Sequence, residues 1–167
     1  MKKLILLLVL LLSTQVTTKA DTISVLQIEG IGIGDSLLKF VDKSIILSSR
    51  KYTYKDDEFY SLDVWDDKFK DYPAIQFHLK KNDSNYIVHG LSGALLFGEE
   101  GKHYPQSEKQ CKEKKNIVES DIDKLFISAQ KDSNDFVGQG DYDPDAIRQE
   151  TYYTLDDGQV WLQCATW

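Results

Sequence analysis

The chain has 167 residues, 41% of them hydrophobic and 28% charged. That is the composition of a globular domain, and it excludes disordered, collagen-like and proline-rich classes. The formal net charge of −7 repels phosphate backbones and anionic lipid headgroups, so nucleic acid is not an expected partner.

Lys2 and Lys3 precede an unbroken apolar run from Leu4 to Leu12, and Thr18 and Ala20 stand at the spacing a signal peptidase reads. The reading is a signal peptide over residues 1–20 and a single α+β domain over 21–167. The apolar run is far short of the roughly 20 residues a spanning helix needs, so no membrane span is expected after cleavage. The protein is expected to be exported, to the periplasm or beyond. Removing residues 1–20 takes away three lysines and no acid, which deepens the charge to −10.

Thr22 to Ile28 reads as a first strand or an extended lead. Ile31-Gly32-Ile33-Gly34-Asp35-Ser36 follows. It has neither GxGxxG spacing nor a P-loop lysine, and is read as a flexible lead into a helix. Leu37, Leu38, Val41 and Ile45 share one face of that helix, and Asp35 or Ser36 caps it. Phe59 to Trp65 alternates as a strand. In the next strand Ile75, Phe77 and Leu79 point one way, and Gln76, His78 and Lys80 the other. Asn82-Asp83-Ser84-Asn85 is a turn cluster, its formal glycosylation sequon read as turn chemistry. Tyr86 to Phe97 returns as the second arm of a hairpin, with Gly90 and Gly93 marking a bulge or bend.

The long helix is expected from about Ser107, where Ser107 and Gln110 have capping-box spacing. Cys111, Ile117, Val118, Ile122, Leu125, Phe126 and Ala129 form its apolar stripe. Lys112, Lys115, Glu119, Asp123 and Lys124 are read as its solvated face. Lys131 to Glu150 lacks an apolar period and is read as an acidic loop. Thr151–Leu155 and Gln159–Trp167 then form a hairpin around Asp157-Gly158, a type I′ turn signal. That turn pairs Leu155 with Val160, Tyr153 with Leu162 and Thr151 with Cys164. Cys164 therefore shares the core face with Val160 and Leu162. In an oxidising compartment Cys111 and Cys164 are expected to form a disulfide, worth about 4 kcal/mol by the chain-entropy model.

Candidate chemistry is sparse. Asp141, Asp143 and Asp145 begin like an EF-hand loop, but Ala146 and Tyr152 stand where a glycine and a glutamate belong. A looser calcium site or an acidic turn held by Pro144 remains, and calcium is the one cofactor left open. His78, His89 and His103 are the three histidines; a catalytic histidine needs an orienting acid and a nucleophile. Gly90-Leu91-Ser92-Gly93 misses the nucleophile-elbow pattern by one residue. No catalytic residue is assigned. Tyr60, Trp65, Tyr86, Trp161 and Trp167 suit a sugar or peptide groove, or simple packing in a sheet.

The stretch from Ile28-Glu29-Gly30 through Ile33-Gly34-Asp35-Ser36-Leu37 resembles the opening of a group of small exported proteins of marine alphaproteobacteria with no established activity. The resemblance continues at Tyr86-Ile87-Val88-His89-Gly90-Leu91-Ser92-Gly93, at Cys111 with the lysine-rich helix after it, and at Gln163-Cys164-Ala165-Thr166-Trp167. It covers most of the chain after the signal segment and implies a compartment but no catalytic residue. More distantly, a glycine-rich lead, a helix and then strands are similar to SmpA/OmlA-type envelope lipoproteins, whose lipid-bearing cysteine has no counterpart here.

The expected fold is α+β: one antiparallel sheet of about five or six strands, with the long helix and a shorter N-terminal helix on one face. The open face would carry Gln76, His78, Lys80, Trp161 and Gln163. The expected role is non-enzymatic binding of an envelope or extracellular protein, or of a small ligand, through that face or the acidic loop. The alternatives are a small secreted hydrolase using carboxylates or a His–acid pair, and a calcium-stabilised structural module.

Overall fold

The computed structural model describes residues 22–51, 54, 58–95, 97, 105–137 and 147–165. Residues 1–20, where a signal peptide is expected, and His103, Trp167, Asp141, Asp143 and Asp145 lie outside them. The elements in chain order are β1 (Gln27–Ile28), β2 (Ile31–Gly32), α1 (Lys43–Ser48), β3 (Arg50–Lys51), β4 (Phe59–Trp65), β5 (Ala74–Lys80), β6 (Val88–Ala94), α2 (Pro105–Leu125), β7 (Gln130–Val137), β8 (Ile147–Leu155) and β9 (Gly158–Ala165). All strand pairing is antiparallel. No described helix is long and apolar enough to cross a membrane.

The α+β class holds, but the single sheet does not. The strands form three separate sheets, β1-β2, β3-β4-β5-β6 and β7-β8-β9. Alternation along a strand fixes which side chains share a face, but it does not choose the neighbouring strand. Nor do the helices cover one common face. The N-terminal segment packs on the four-stranded sheet, and α2 packs on the three-stranded one.

The first core is built from the inward residues of β4 and β5: Tyr60, Leu62 and Val64, with Ile75, Phe77 and Leu79. Leu62, Ile75, Phe77 and Leu79 are fully buried, each worth about 1.5–3 kcal/mol relative to exposure. Ile31, Leu37, Val41 and Ile46 close this core from above. The expected N-terminal helix is a 3-10 turn at Leu37–Lys39 followed by the six-residue α1. The break between them resets the helical phase, so Ile46 points inward and Ile45 is 38% exposed. Neither expected cap forms. The Asp35 carboxylate accepts the Gly32 N–H instead, and the Ser36 hydroxyl donates to the Asn85 carbonyl. The segment is also fastened to β6: Gly34 N–H donates to the Val88 carbonyl and Val88 N–H to the Asp35 carbonyl.

The β5–β6 hairpin forms as expected, and the Asp83 carboxylate accepts the N–H groups of Ile87 and Asn85 across its turn. Those two bonds hold the Asp83 carboxyl below its ordinary range. The register shifts where His78 pairs with Gly90 and Leu79 with Val88, so the bulged residue is His89.

The second core joins Ile122 and Phe126 of α2 to Tyr153 and Val160, with Val118, Leu162 and Leu155 packed around them. Helix α2 begins at Pro105, so Ser107 lies inside it and caps nothing. Proline is favoured in a first turn, where its missing N–H is no loss. The apolar stripe is narrower than expected: Ile117 is 59% exposed and Leu125 39%. Cys111 and Cys164 are joined, their Cα atoms 5.8 Å apart, within the range a disulfide needs. The bond ties α2 to β9.

Two loop readings are corrected. Residues 130–137 are strand β7, paired with β8 along its length, so residues 131–137 and 147–150 of the expected acidic loop are strand. The β8–β9 register pairs Leu155 with Gly158, Tyr153 with Val160 and Thr151 with Leu162. This is two residues away from the expected register, and a shift of two preserves the face. Cys164 therefore points inward, 3% exposed, with Val160. The loop is Asp156-Asp157, and neither residue has positive φ. A type I′ hairpin turn with positive φ at both positions occurs elsewhere, at Glu29 (53°) and Gly30 (78°) between β1 and β2.

The two cores meet through the N-terminal segment. Ile23 and Leu26 pack in the second core, Ile28, Ile31 and Ile33 in the first. The Ile23 N–H donates to both oxygens of the Asp157 carboxylate, at 3.0 and 3.2 Å. Gly158 permits this approach, since a Cβ there would stand 3.2 Å from Ile23.

Candidate functional site

Every second residue of β7, β8 and β9 faces away from α2. The register sets Tyr152 beside Trp161 and Glu150 beside Gln163, with Asp132 and Asn134 of β7 on the far side of β8. Trp161 is 53% exposed. Its ring and that of Tyr152 are nearly parallel, 4° apart in plane with centroids 5.9 Å apart. Behind them Glu150 is 4% exposed, an unusual place for a carboxylate on an outward face. It is held by the Tyr152 hydroxyl at 2.7 Å, the Gln163 amide at 3.1 Å and the Arg148 guanidinium at 3.8 Å. The hydrogen bond to Glu150 raises the Tyr152 phenol above its ordinary value, so that hydroxyl stays a donor.

The five residues expected on one open face are divided between two sheets. Trp161 and Gln163 lie on β9, whereas Gln76, His78 and Lys80 lie on β5 in a sheet that shares no strand with it. The β5 residues are taken up locally. The Gln76 amide donates to Asp63 at 2.8 Å, and Lys80 pairs with Glu58 at 2.8 Å. His78 Nδ1 meets the Tyr54 hydroxyl, and its ring lies against Gly90, where a Cβ would stand 3.1 Å away. Burial lowers the His78 pKa, and nearby Asp63 only partly opposes this, so the ring is neutral at pH 7. The Asp63 carboxylate is bound by Lys51 and Gln76. His89 packs edge-on to Phe59. No trio of histidine, acid and hydroxyl is assembled by these contacts.

A second polar cluster lies between α2 and the inner face of its sheet, where a solvated helix face was expected. Lys115 Nζ reaches Glu119 at 2.9 Å and the Thr151 hydroxyl at 2.7 Å. Lys131 Nζ reaches Glu119 at 2.8 Å and both oxygens of Asp123 at 2.8 and 3.0 Å. The Tyr153 hydroxyl donates to Asp123 at 2.5 Å. Lys115, Glu119 and Asp123 recur every four residues, so they form one stripe beside Val118, Ile122 and Phe126. That spacing was the available signal, since the stripe only lacked a known partner.

The electrostatics fix these groups in one state. Burial alone would push the Glu119 carboxyl up, but bonds from Lys131 and Lys115 outweigh it and hold it low. Asp123 and Glu119 raise the Lys131 ammonium. Burial, and then the bond to Asp123, push the Tyr153 phenol up to about 12. Each moves away from neutrality, whereas proton transfer at pH 7 needs a group poised near it. The cluster is a structural polar layer.

Among the described residues no group of three histidine, cysteine or acidic side chains is placed to hold a metal ion. No protein-family model, curated protein or solved structure matches the chain.

Proposed function

We propose that this is an exported binding protein without catalytic activity, working in an oxidising compartment through the outer face of β7–β9. The observation that carries the reading is Trp161, an aromatic side chain 53% exposed and braced by a parallel Tyr152. Around it the polar groups are already ordered by Glu150. Ordered polar groups around an aromatic surface lower the entropy cost of holding a ligand. The Cys111–Cys164 bond supports the compartment, because such bonds persist where thiols are oxidised. The inner polar layer, its groups shifted away from pH 7 by their mutual bonds, offers no proton-transfer group of its own.

The test is co-sedimentation of the purified, disulfide-bonded protein with the envelope fraction of the cells that produce it. Wild-type protein should sediment, and Trp161→Ala, folded to the same melting temperature, should do so at least tenfold less. Equal sedimentation of the two would remove this face from the binding role.

A further inference from the structure

We infer that the ligand of the β7–β9 face is a neutral polysaccharide, with a sugar ring stacked on Trp161 and its hydroxyls held by Gln159 and Gln163. The inference rests on the binding role proposed above and names its ligand class. Its first support is shape. Gln159, Trp161 and Gln163 are alternate residues of one strand and all are exposed. They line about 13 Å of strand at the usual rise per residue, room for more than one sugar ring.

Bonding character is the second support. The face of an indole ring is electronegative, and the C–H groups on one side of a sugar ring are apolar and slightly positive. A primary amide donates and accepts, as a sugar hydroxyl does. The Gln163 amide nitrogen is turned toward Glu150, which leaves its carbonyl oxygen to accept from a ligand.

Charge is the third. Among the described residues the face has one cation, Arg148, and it lies 3.8 Å from Glu150, so it offers no uncompensated positive group to an anionic polymer. Glu150 is buried and already bonded to its neighbours, and Asp132 accepts from the Gln130 amide. Among the described residues of this face a cationic ligand meets one exposed carboxylate, Asp132, two strands away from Trp161, too few for a site built around positive charge. The buried centre of a protein interface is more apolar than the surface around it and gathers several large side chains. Among the described residues, Trp161 is the one large apolar side chain on this face counted as exposed.

The experiment sediments wild type, Trp161→Ala and Trp65→Ala with three forms of the same envelope fraction: native, periodate-oxidised and protease-digested. Trp65 is 70% exposed on the other sheet and serves as the control for a lost surface tryptophan. Binding should survive protease, fall at least tenfold after periodate, and fall at least tenfold in Trp161→Ala but less than twofold in Trp65→Ala. An excess of soluble alginate, a polyanion, should not displace the protein. Protease-sensitive, periodate-resistant binding, or displacement by alginate, would overturn the neutral polysaccharide and leave the binding role standing. Failure of wild type to sediment with native envelope would overturn both.

Discussion

Thr151 is fully buried, yet its hydroxyl lies within reach of Lys115 at 2.7 Å, Glu119 at 3.3 Å and Ser133 at 3.3 Å. Thr151→Val keeps the shape and removes the hydroxyl, leaving the partly buried Lys115 ammonium short of an acceptor. The expected cost is about 1–3 kcal/mol, read as a lower urea midpoint with unchanged slope. The same layer sets a pH dependence. The Tyr153 phenol is raised from 10.0 to about 12, so the folded state keeps a proton that the unfolded chain releases. Its contribution is fully present below pH 10 and is lost as pH rises toward about 12. Lys131, also raised, keeps its contribution below its ordinary value of 10.5 and loses it progressively as pH rises above that. Thermal melts should therefore fall steeply from pH 10 upward, and Tyr153→Phe should make that slope shallower. On the acid side Glu119 and Asp123 are lowered. Their contribution is present above the ordinary carboxylate range and lost as pH falls below it.

At the scale of elements, the covalent tie between α2 and β9 is the single bond with the largest expected contribution. Replacing Cys111 and Cys164 together by serine should lower stability by about 2–5 kcal/mol, measured against wild type with and without reductant. Wild type under reduction should approach the variant. The cysteine pairing was legible in the sequence because Cys111 sat on a helical stripe and Cys164 on the inward face of a strand. It survived a two-residue error in register because parity, not register, sets the face. Strand β7 was not legible. Its inward residues Lys131 and Ser133 meet the polar layer of α2, so the strand has no apolar alternation to reveal it. The β1–β2 turn was missed for a different reason. Glu29-Gly30 takes positive φ at a glutamate, a position where turn rules expect asparagine, aspartate or glycine.

At the scale of the molecule, the described residues form two cores, and one N-terminal segment contributes to both. Local pattern supplied most of the strands and the side each presents. Long-range pairing decided that they form separate sheets, and this divided the expected binding face. Gln76, His78 and Lys80 went to a surface that satisfies them internally, while Trp161 and Gln163 joined Tyr152 and Glu150. The central claim is that ligand contact falls on the second of these surfaces. Hydroxyl-radical footprinting of the protein with and without envelope fraction reads both at once, since exposed aromatic side chains on each sheet report independently. Trp161 and Tyr152 should be protected severalfold, with Trp65 and Tyr54 unchanged. Protection confined to Trp65 and Tyr54, or no protection at Trp161 under conditions where the protein sediments with the envelope, would contradict the account.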